Sequence, residues 1–386
     1  MGINDIILYI MLILMTIAGI DRFTGNHLGL GEKFEEGFNA LGALALSMVG
    51  AICIAPVLGA WLEPVVGPIY EALGANPAMF ATTLLANDMG GYNLAMALSG
   101  ANAPGAPIEA VNAGNFAGLI LGAMMGPTIV FSIPVALGII NLEDRPFLAK
   151  GILIGMITIP LGCLAGGLVA GYPFMWMIMN LIPVLIVAIL IAVGLTFIPD
   201  TMITLFLWFG KFVIAFLTLA LILAGIAGAT TVENRPELLQ KIIAYFDGKG
   251  MAPISEGFAV IGGISVVLAG AFTLVHLLTK YLGEPLSKIG GLLGMNKEAA
   301  AGMVATLANN IAMFSIMKDM DNRGKVINVA FAVSASFVFG DHLGFTAGVN
   351  KDMIFAMVVG KLVGGITAVC LAYFMAPKSD LAKAAA

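Results

Sequence analysis

The sequence predicts an all-α polytopic membrane protein built from two inverted structural repeats. About nine transmembrane helices and two re-entrant helical hairpins are expected. Three observations lead there. The chain is extremely apolar, it repeats itself, and polar residues stand inside corresponding apolar runs. Of 386 residues, 60% are hydrophobic and only 11% are charged. A soluble domain carries about 25% charged residues, so the lipid bilayer is the expected surroundings. The formal charge of -5 leaves no basic face for nucleic acid.

The apolar runs fall at about 5–20, 38–62, 77–99, 115–141, 147–171, 174–198, 203–229, 255–280, 297–318, 326–349 and 353–376. The first opens directly after Asn4-Asp5, with no basic n-region and no small-residue cleavage site. It reads as a retained helix and not as a signal peptide. Charges gather between runs, as in Glu143-Asp144-Arg145 and Lys318-Asp319. Cys53, Cys163 and Cys370 lie within apolar runs without close spacing. They read as buried thiols and not as a disulfide or metal set.

Repetition is explicit at one constant offset. Glu36-Gly37-Phe38 recurs as Glu256-Gly257-Phe258; Gly42, Gly50 and Ala51 recur as Gly262, Gly270 and Ala271. Leu73-Gly74 and Asn76 match Leu293-Gly294 and Asn296. Slightly out of step, Leu85-Ala86-Asn87-Asp88 matches Leu307-Ala308-Asn309-Asn310. The expected division is a first repeat over 1–171, a connector helix over 172–202 and a second repeat over 203–386.

Runs 77–99 and 297–318 have polar midpoints at Asn87-Asp88-Met89-Gly90-Gly91 and Asn309-Asn310. Each half is about ten residues, or ~15 Å of helix, which is half a bilayer. A helix that enters and returns fits this length. Such backbone is tolerated at depth only inside protein or beside a wet cavity. With hairpins, most loop lysines and arginines fall on one side, Arg145, Lys150, Lys318, Arg323 and Lys325 among them. The positive-inside rule then places the N-terminus outside and the C-terminus inside, and makes the repeats inverted. The alternative is eleven full spans with parallel repeats and a weaker charge asymmetry.

Three constellations carry candidate chemistry. Asp88 is a carboxylate at mid-membrane, where a charge costs ~2.5–3.5 kcal/mol on insertion scales and marks a functional site by default. It could instead cap the second half-helix. Asn87 is beside it. Asn309 and Asn310 hold the matching place, with Thr306 one turn earlier. Their polar groups can hold a hydroxyl or cap broken helix ends. The third cluster, Gly340-Asp341-His342-Leu343-Gly344, corresponds in position to Gly126-Pro127-Thr128. Both predict a broken helix. His342 titrates near neutrality in reference peptides. Alternatively Asp341 is a structural partner of His342 or Lys361. Tyr92, Phe131, Phe314 and Phe345 lie near these centres.

Taken together, these residues resemble the ethanolamine permease family of ethanolamine-utilisation operons, EutH. The resemblance runs through Phe34-Glu35-Glu36-Gly37-Phe38, Asp88-Met89-Gly90-Gly91 and Met124-Met125-Gly126-Pro127-Thr128. It continues through Ala301-Gly302-Met303-Val304-Ala305-Thr306-Leu307-Ala308-Asn309-Asn310 and Gly340-Asp341-His342-Leu343-Gly344-Phe345. Departures are confined to loops 21–33 and 171–175. The resemblance implies a multi-pass bacterial inner-membrane protein, not an enzyme, that imports ethanolamine for a cobalamin-dependent lyase. It leaves self-association into a homo-oligomer open.

The residue reading agrees with that substrate. Ethanolamine at neutral pH is a small ammonium with one hydroxyl. Asp88, then Asp341, would meet the ammonium. Asn87, Asn309, Asn310, Thr306, Thr128 and His342 complete the expected substrate-binding set. Competing readings are a channel-like facilitator and an intramembrane aspartyl enzyme. Against the enzyme, Val338 stands where the first glycine of a Gly-x-Gly-Asp motif belongs. No zinc-type His-Glu-x-x-His and no phosphate-binding loop occurs. No metal or cofactor is therefore expected.

Overall fold

A computed structural model describes residues 2–378. Residues 379–386, assigned above to the second repeat, lie outside the described residues. Among the described residues there is no strand. Eight helices are long and apolar enough to cross a membrane.

The first half contains α1 (Ile3–Thr24), α2 (Gly31–Ala72), α3 (Ala78–Leu84), α4 (Tyr92–Leu98), the irregular α5 (Ile108–Ile139) and α6 (Arg145–Val169). Between the halves lies α7 (Phe174–Phe197). The second half contains α8 (Pro199–Ala229), the short α9 (Glu237–Asp247), α10 (Ile254–Leu292), α11 (Lys297–Ala308), α12 (Asn310–Ser315), α13 (Asn322–Ala335), α14 (Asp341–Val349) and α15 (Ile354–Met375). The ninth expected crossing, run 326–349, is made by α13 and α14 on either side of a break. It is therefore absent from the eight long helices.

The polar runs 77–99 and 297–318 do not continue straight. Helix α3 packs on α4, and α11 packs on α12. Each run folds back on itself, which is compatible with the re-entrant reading. The half-helices are too short to cross alone. Their partners in the interior are what hold them at depth.

Small residues set the packing, because lipid supplies no hydrophobic drive between helices. Gly37 of α2 backs onto Ala269 of α10, and Gly257 of α10 backs onto Val49 of α2. A Cβ on Gly257 would lie 2.8 Å from Val49. The contact is thus reciprocal at matched repeat positions, and the two helices run antiparallel. Helices α6 and α15 repeat the arrangement. A Cβ on Gly162 would come 2.6 Å from the Gly360 carbonyl, and one on Gly166 would come 2.7 Å from the Ala356 carbonyl. As α6 advances, α15 retreats. This geometry is compatible with repeats of opposite orientation.

Burial separates the layers. Only 11% of the apolar window of α1 and 22% of that of α8 are buried, against 83% for α5. Helix α1 packs on Gly270 and α8 on Gly50, so they are matching outer helices. Helix α5 forms the centre.

The halves are also joined at their ends. On the side of the Glu143-Asp144-Arg145 loop, Lys325 Nζ meets Asp144 Oδ1 at 2.6 Å in a buried ion pair. On the opposite side, Asn350 Nδ2 donates to Asn115 Oδ1 at 3.1 Å. Removing one member of a buried pair strands the other charge. Asp144→Ala should therefore cost about 3–5 kcal/mol, read as a fall in thermal stability in detergent. The double variant Asp144→Ala with Lys325→Met should recover most of that loss. Equal stability of Asp144→Ala and the parent protein would remove the pair from the account.

Candidate functional site

The first hairpin tip is a true break. Leu85 (φ -110, ψ 143) and Ala86 (φ -65, ψ 149) are extended. The chain then turns through Asn87–Gly91, where Gly90 takes φ 89. That left-handed conformation suits glycine. Gly90 also lies against Ala51, halfway along α2, with no room for a Cβ. The tip is thereby fixed at mid-depth. Asn87 is fully buried, and neither amide atom has a hydrogen-bond partner. Asp88 is half-buried and does not cap α4.

The second tip is simpler. Asn309 is extended (φ -157, ψ 131), and its Oδ1 accepts the Ile311 N–H at 2.8 Å. It therefore closes the tip as a helix cap. Asn310 Nδ2 donates to Ser132 Oγ at 2.7 Å, while its Oδ1 is buried and unpartnered. The hydroxyl of Thr306 is also buried without a partner.

Each hairpin tip faces the broken crossing of its own half. Gly126 backs onto the Leu85 carbonyl, and Gly340 onto the Ala308 carbonyl, one residue out of step in the repeat. In the second half, the turn after α13 is stitched to the end of α11. Phe337 N donates to Thr306 O at 3.2 Å and Phe339 N to Leu307 O at 3.0 Å. Phe337 has φ 64, a strained conformation for a bulky residue.

The first broken crossing departs from expectation. Regular helix is lost at Leu121–Met124, where Met124 has φ -125 and ψ -61. It resumes at Met125–Pro127, so Gly126-Pro127 follows the break. A proline has no N–H to lose in the opening turn of a helix. Thr128 is buried, and its hydroxyl is turned to backbone. Its hydroxyl donates to the Met124 carbonyl at 2.9 Å and reaches the Val333 carbonyl at 3.3 Å.

Asp341 opens α14 and is half-buried; His342 is buried, with Nδ1 unpartnered. Asp341 lies within electrostatic reach of Asp88. The halves therefore bring one carboxylate each to the same place. Tyr92 and Phe345 pack edge to face at 5.8 Å beside them, and Phe337 packs on His342 at 5.1 Å. Lys361, from the middle of α15, is 1% exposed and donates to the Ala123 carbonyl. Asp88 and His342 lie within its electrostatic reach, and no ion pair joins it to Asp88 or Asp341 among the described residues.

Sequence reasoning passed over Ser132 and Phe337, for which no signal stood out. Lys361 did carry one: a lysine inside an apolar run is as anomalous as an aspartate. It was weighed only as a partner for Asp341.

Long apolar helices around broken segments define a multi-pass integral membrane protein, and its family and relatives make it a permease and not an enzyme. The chain belongs to the family described as "Ethanolamine utilisation protein, EutH", whose model matches residues 3–375. It is 57% identical over 376 residues to a "Probable ethanolamine permease EutH" of Listeria monocytogenes, covering 97% of this chain and 95% of the relative. It is 52% identical over 406 residues to the Escherichia coli protein of the same description, covering 98% and 97%. An uncharacterized protein, YxeR, of Bacillus subtilis is 45% identical over 377 residues, covering 98% and 96%. No solved structure matches.

The close approach at Gly126 can be tested. Gly126→Ala drives a Cβ into the Leu85 carbonyl, which is backbone and cannot swing aside. Gly138→Ala meets nothing within 4 Å. The first substitution should lower thermal stability by at least the ~1–3 kcal/mol typical of overpacking; the second should leave it unchanged. Equal stability of both variants would show that the first hairpin tip is not seated on Gly126.

Proposed function

We propose that the protein imports ethanolamine, as its ammonium form, across the bacterial inner membrane by alternating access. One observation carries the reading: Asp88 and Asp341 come from opposite halves and converge on paired helix breaks, among buried polar groups that lack partners. Two like charges in a low-dielectric interior repel strongly. A small ammonium between them relieves that repulsion and restores the hydrogen bonds that desolvation removed. The names of the relatives supply the particular amine.

In this reading Asp88 is the principal ammonium partner and Asp341 the second. Asn87, Thr306 and the free Nδ1 of His342 offer donors and acceptors to the hydroxyl. Asn309 and Asn310 hold the second tip in shape. The aromatic pair Tyr92 and Phe345 bounds the chamber and excludes larger amines.

Transport follows from the two-sided architecture. The first repeat (1–171) and the second (203–386) are read as inverted copies joined by a connector (172–202). Opposite orientation gives one site two symmetry-related ways out. The Lys325–Asp144 pair and the Asn350–Asn115 pair join the halves on opposite sides, so opening either side must break one and keep the other. The N-terminus is assigned outside and the C-terminus inside.

The test is uptake of labelled ethanolamine by protein reconstituted in liposomes. Saturable uptake is expected for the parent protein and loss of at least ~100-fold for Asp88→Asn, since an uncompensated charge at this depth costs ~2.5–3.5 kcal/mol. Asp88→Glu should retain part of the activity. Flux that does not saturate would replace the carrier by a channel. Full activity of Asp88→Asn would remove the carboxylate from the site.

A further inference from the structure

Lys361 is the one feature of the chamber that the proposed function leaves unused. A buried lysine among broken helices is costly. Its ammonium is chemically a primary alkylammonium, the same head group as ethanolammonium. Its hydrogen bond goes to the Ala123 carbonyl, at the point where α5 loses its regular bonding. Carbonyls at such a helix end lack intrahelical donors and carry partial negative charge, so they attract cations. The groups around it are Asp88 and His342.

Neighbouring glycines explain how the side chain gets there. Gly360 and Gly364 let α15 pack closely on α6. Lys361, between them in sequence, points away from lipid into the chamber. The first half has the same local pattern without the charge. Gly151-Ile152-Leu153-Ile154-Gly155 parallels Gly360-Lys361-Leu362-Val363-Gly364. Ile152 stands where Lys361 stands. One repeat alone therefore contributes an ammonium, while both contribute a carboxylate-bearing or amide-bearing tip.

We propose that Lys361 is a tethered counter-cation that holds the Ala123 carbonyl and offsets the Asp88 charge in the unloaded site, in competition with the substrate ammonium. This rests on the ethanolamine reading of the chamber. When substrate leaves, the lysine holds the Ala123 carbonyl and offsets the Asp88 charge, so the unloaded carrier can reorient without a sodium ion. When substrate arrives, the lysine gives way. The competition lowers apparent affinity, because only the fraction of sites with the lysine displaced is competent to bind. In return, no bare carboxylate has to cross the barrier between states.

The experiment compares the wild type with Lys361→Met and Lys361→Arg, purified and reconstituted. Three quantities are read: equilibrium binding of labelled ethanolamine, net uptake into unloaded liposomes, and exchange into liposomes preloaded with ethanolamine. Lys361→Met should bind ethanolamine about 5-fold or more tighter, the lower end of usual site-to-site coupling. Its exchange should persist, while net uptake falls by more than about tenfold relative to exchange, because the unloaded return now moves an uncompensated carboxylate. A lysine that only props up the helix break would lower both fluxes together.

Lys361→Arg keeps the cation and adds bulk and bidentate reach. It should bind substrate more weakly and keep the wild-type ratio of net uptake to exchange. Should Lys361→Met fail to accumulate, the arginine variant decides: weaker binding supports the inference, unchanged binding overturns it. Unchanged affinity and an unchanged flux ratio in Lys361→Met overturn it as well. If the wild type binds no ethanolamine, the reading of the chamber itself falls, and the tethered cation falls with it.

Discussion

Everything in this molecule depends on keeping unwound backbone satisfied in the middle of a hydrocarbon slab. A helix crossing a bilayer satisfies its own amides and needs nothing from its neighbours. Once the chain breaks at Leu85–Gly91, Leu121–Met124, Asn309 and Ser336–Gly340, that independence is lost. The protein answers by placing breaks against breaks. Phe337 and Phe339 donate to the carbonyls that end α11. Gly126 and Gly340 let the crossing segments press on the hairpin tips. The first tip instead bonds to itself, Met89 and Gly91 donating to the Ala86 carbonyl.

The same device explains the polar chamber. Backbone that is bonded to backbone frees side chains that would otherwise serve as caps. Asp88 caps no helix, and Asn87, Thr306 and His342 retain unpartnered atoms. Asn309, by contrast, serves the fold. Groups of one chemical type in equivalent positions thus divide into those that hold the tips and those without a partner. A buried polar atom without a partner is expensive. The proposed function uses these atoms as its binding groups.

Packing around the chamber follows from a different economy. Glycine pairs at α2 with α10 and at α6 with α15 bring backbones close where no hydrophobic force would. The outer helices α1 and α8 complete the covering toward lipid. Charged residues in the outer loops, including the buried Lys325–Asp144 pair, tie the halves where water is near.

Composition alone determined the class and the bilayer, and repetition pointed to a two-copy plan. Apolar run length is a direct consequence of bilayer thickness, and a duplicated gene leaves duplicated glycines. The hairpins were legible because two polar midpoints, Asn87-Asp88 and Asn309-Asn310, divide their runs into halves too short to cross. Asp88 and Asp341 were legible because a carboxylate in an apolar run is anomalous wherever it points. What only the tertiary structure decided is which side chains meet. Thr128 turned to the backbone, the break in α5 fell before Gly126 and not at it, and Ser132, Phe337 and Lys361 joined the centre. Those outcomes depend on contacts between residues distant in sequence, such as Lys361 with Ala123 and Asn310 with Ser132. No local pattern encodes them, because a hydrogen bond across the bundle leaves no periodicity in either strip of chain that makes it.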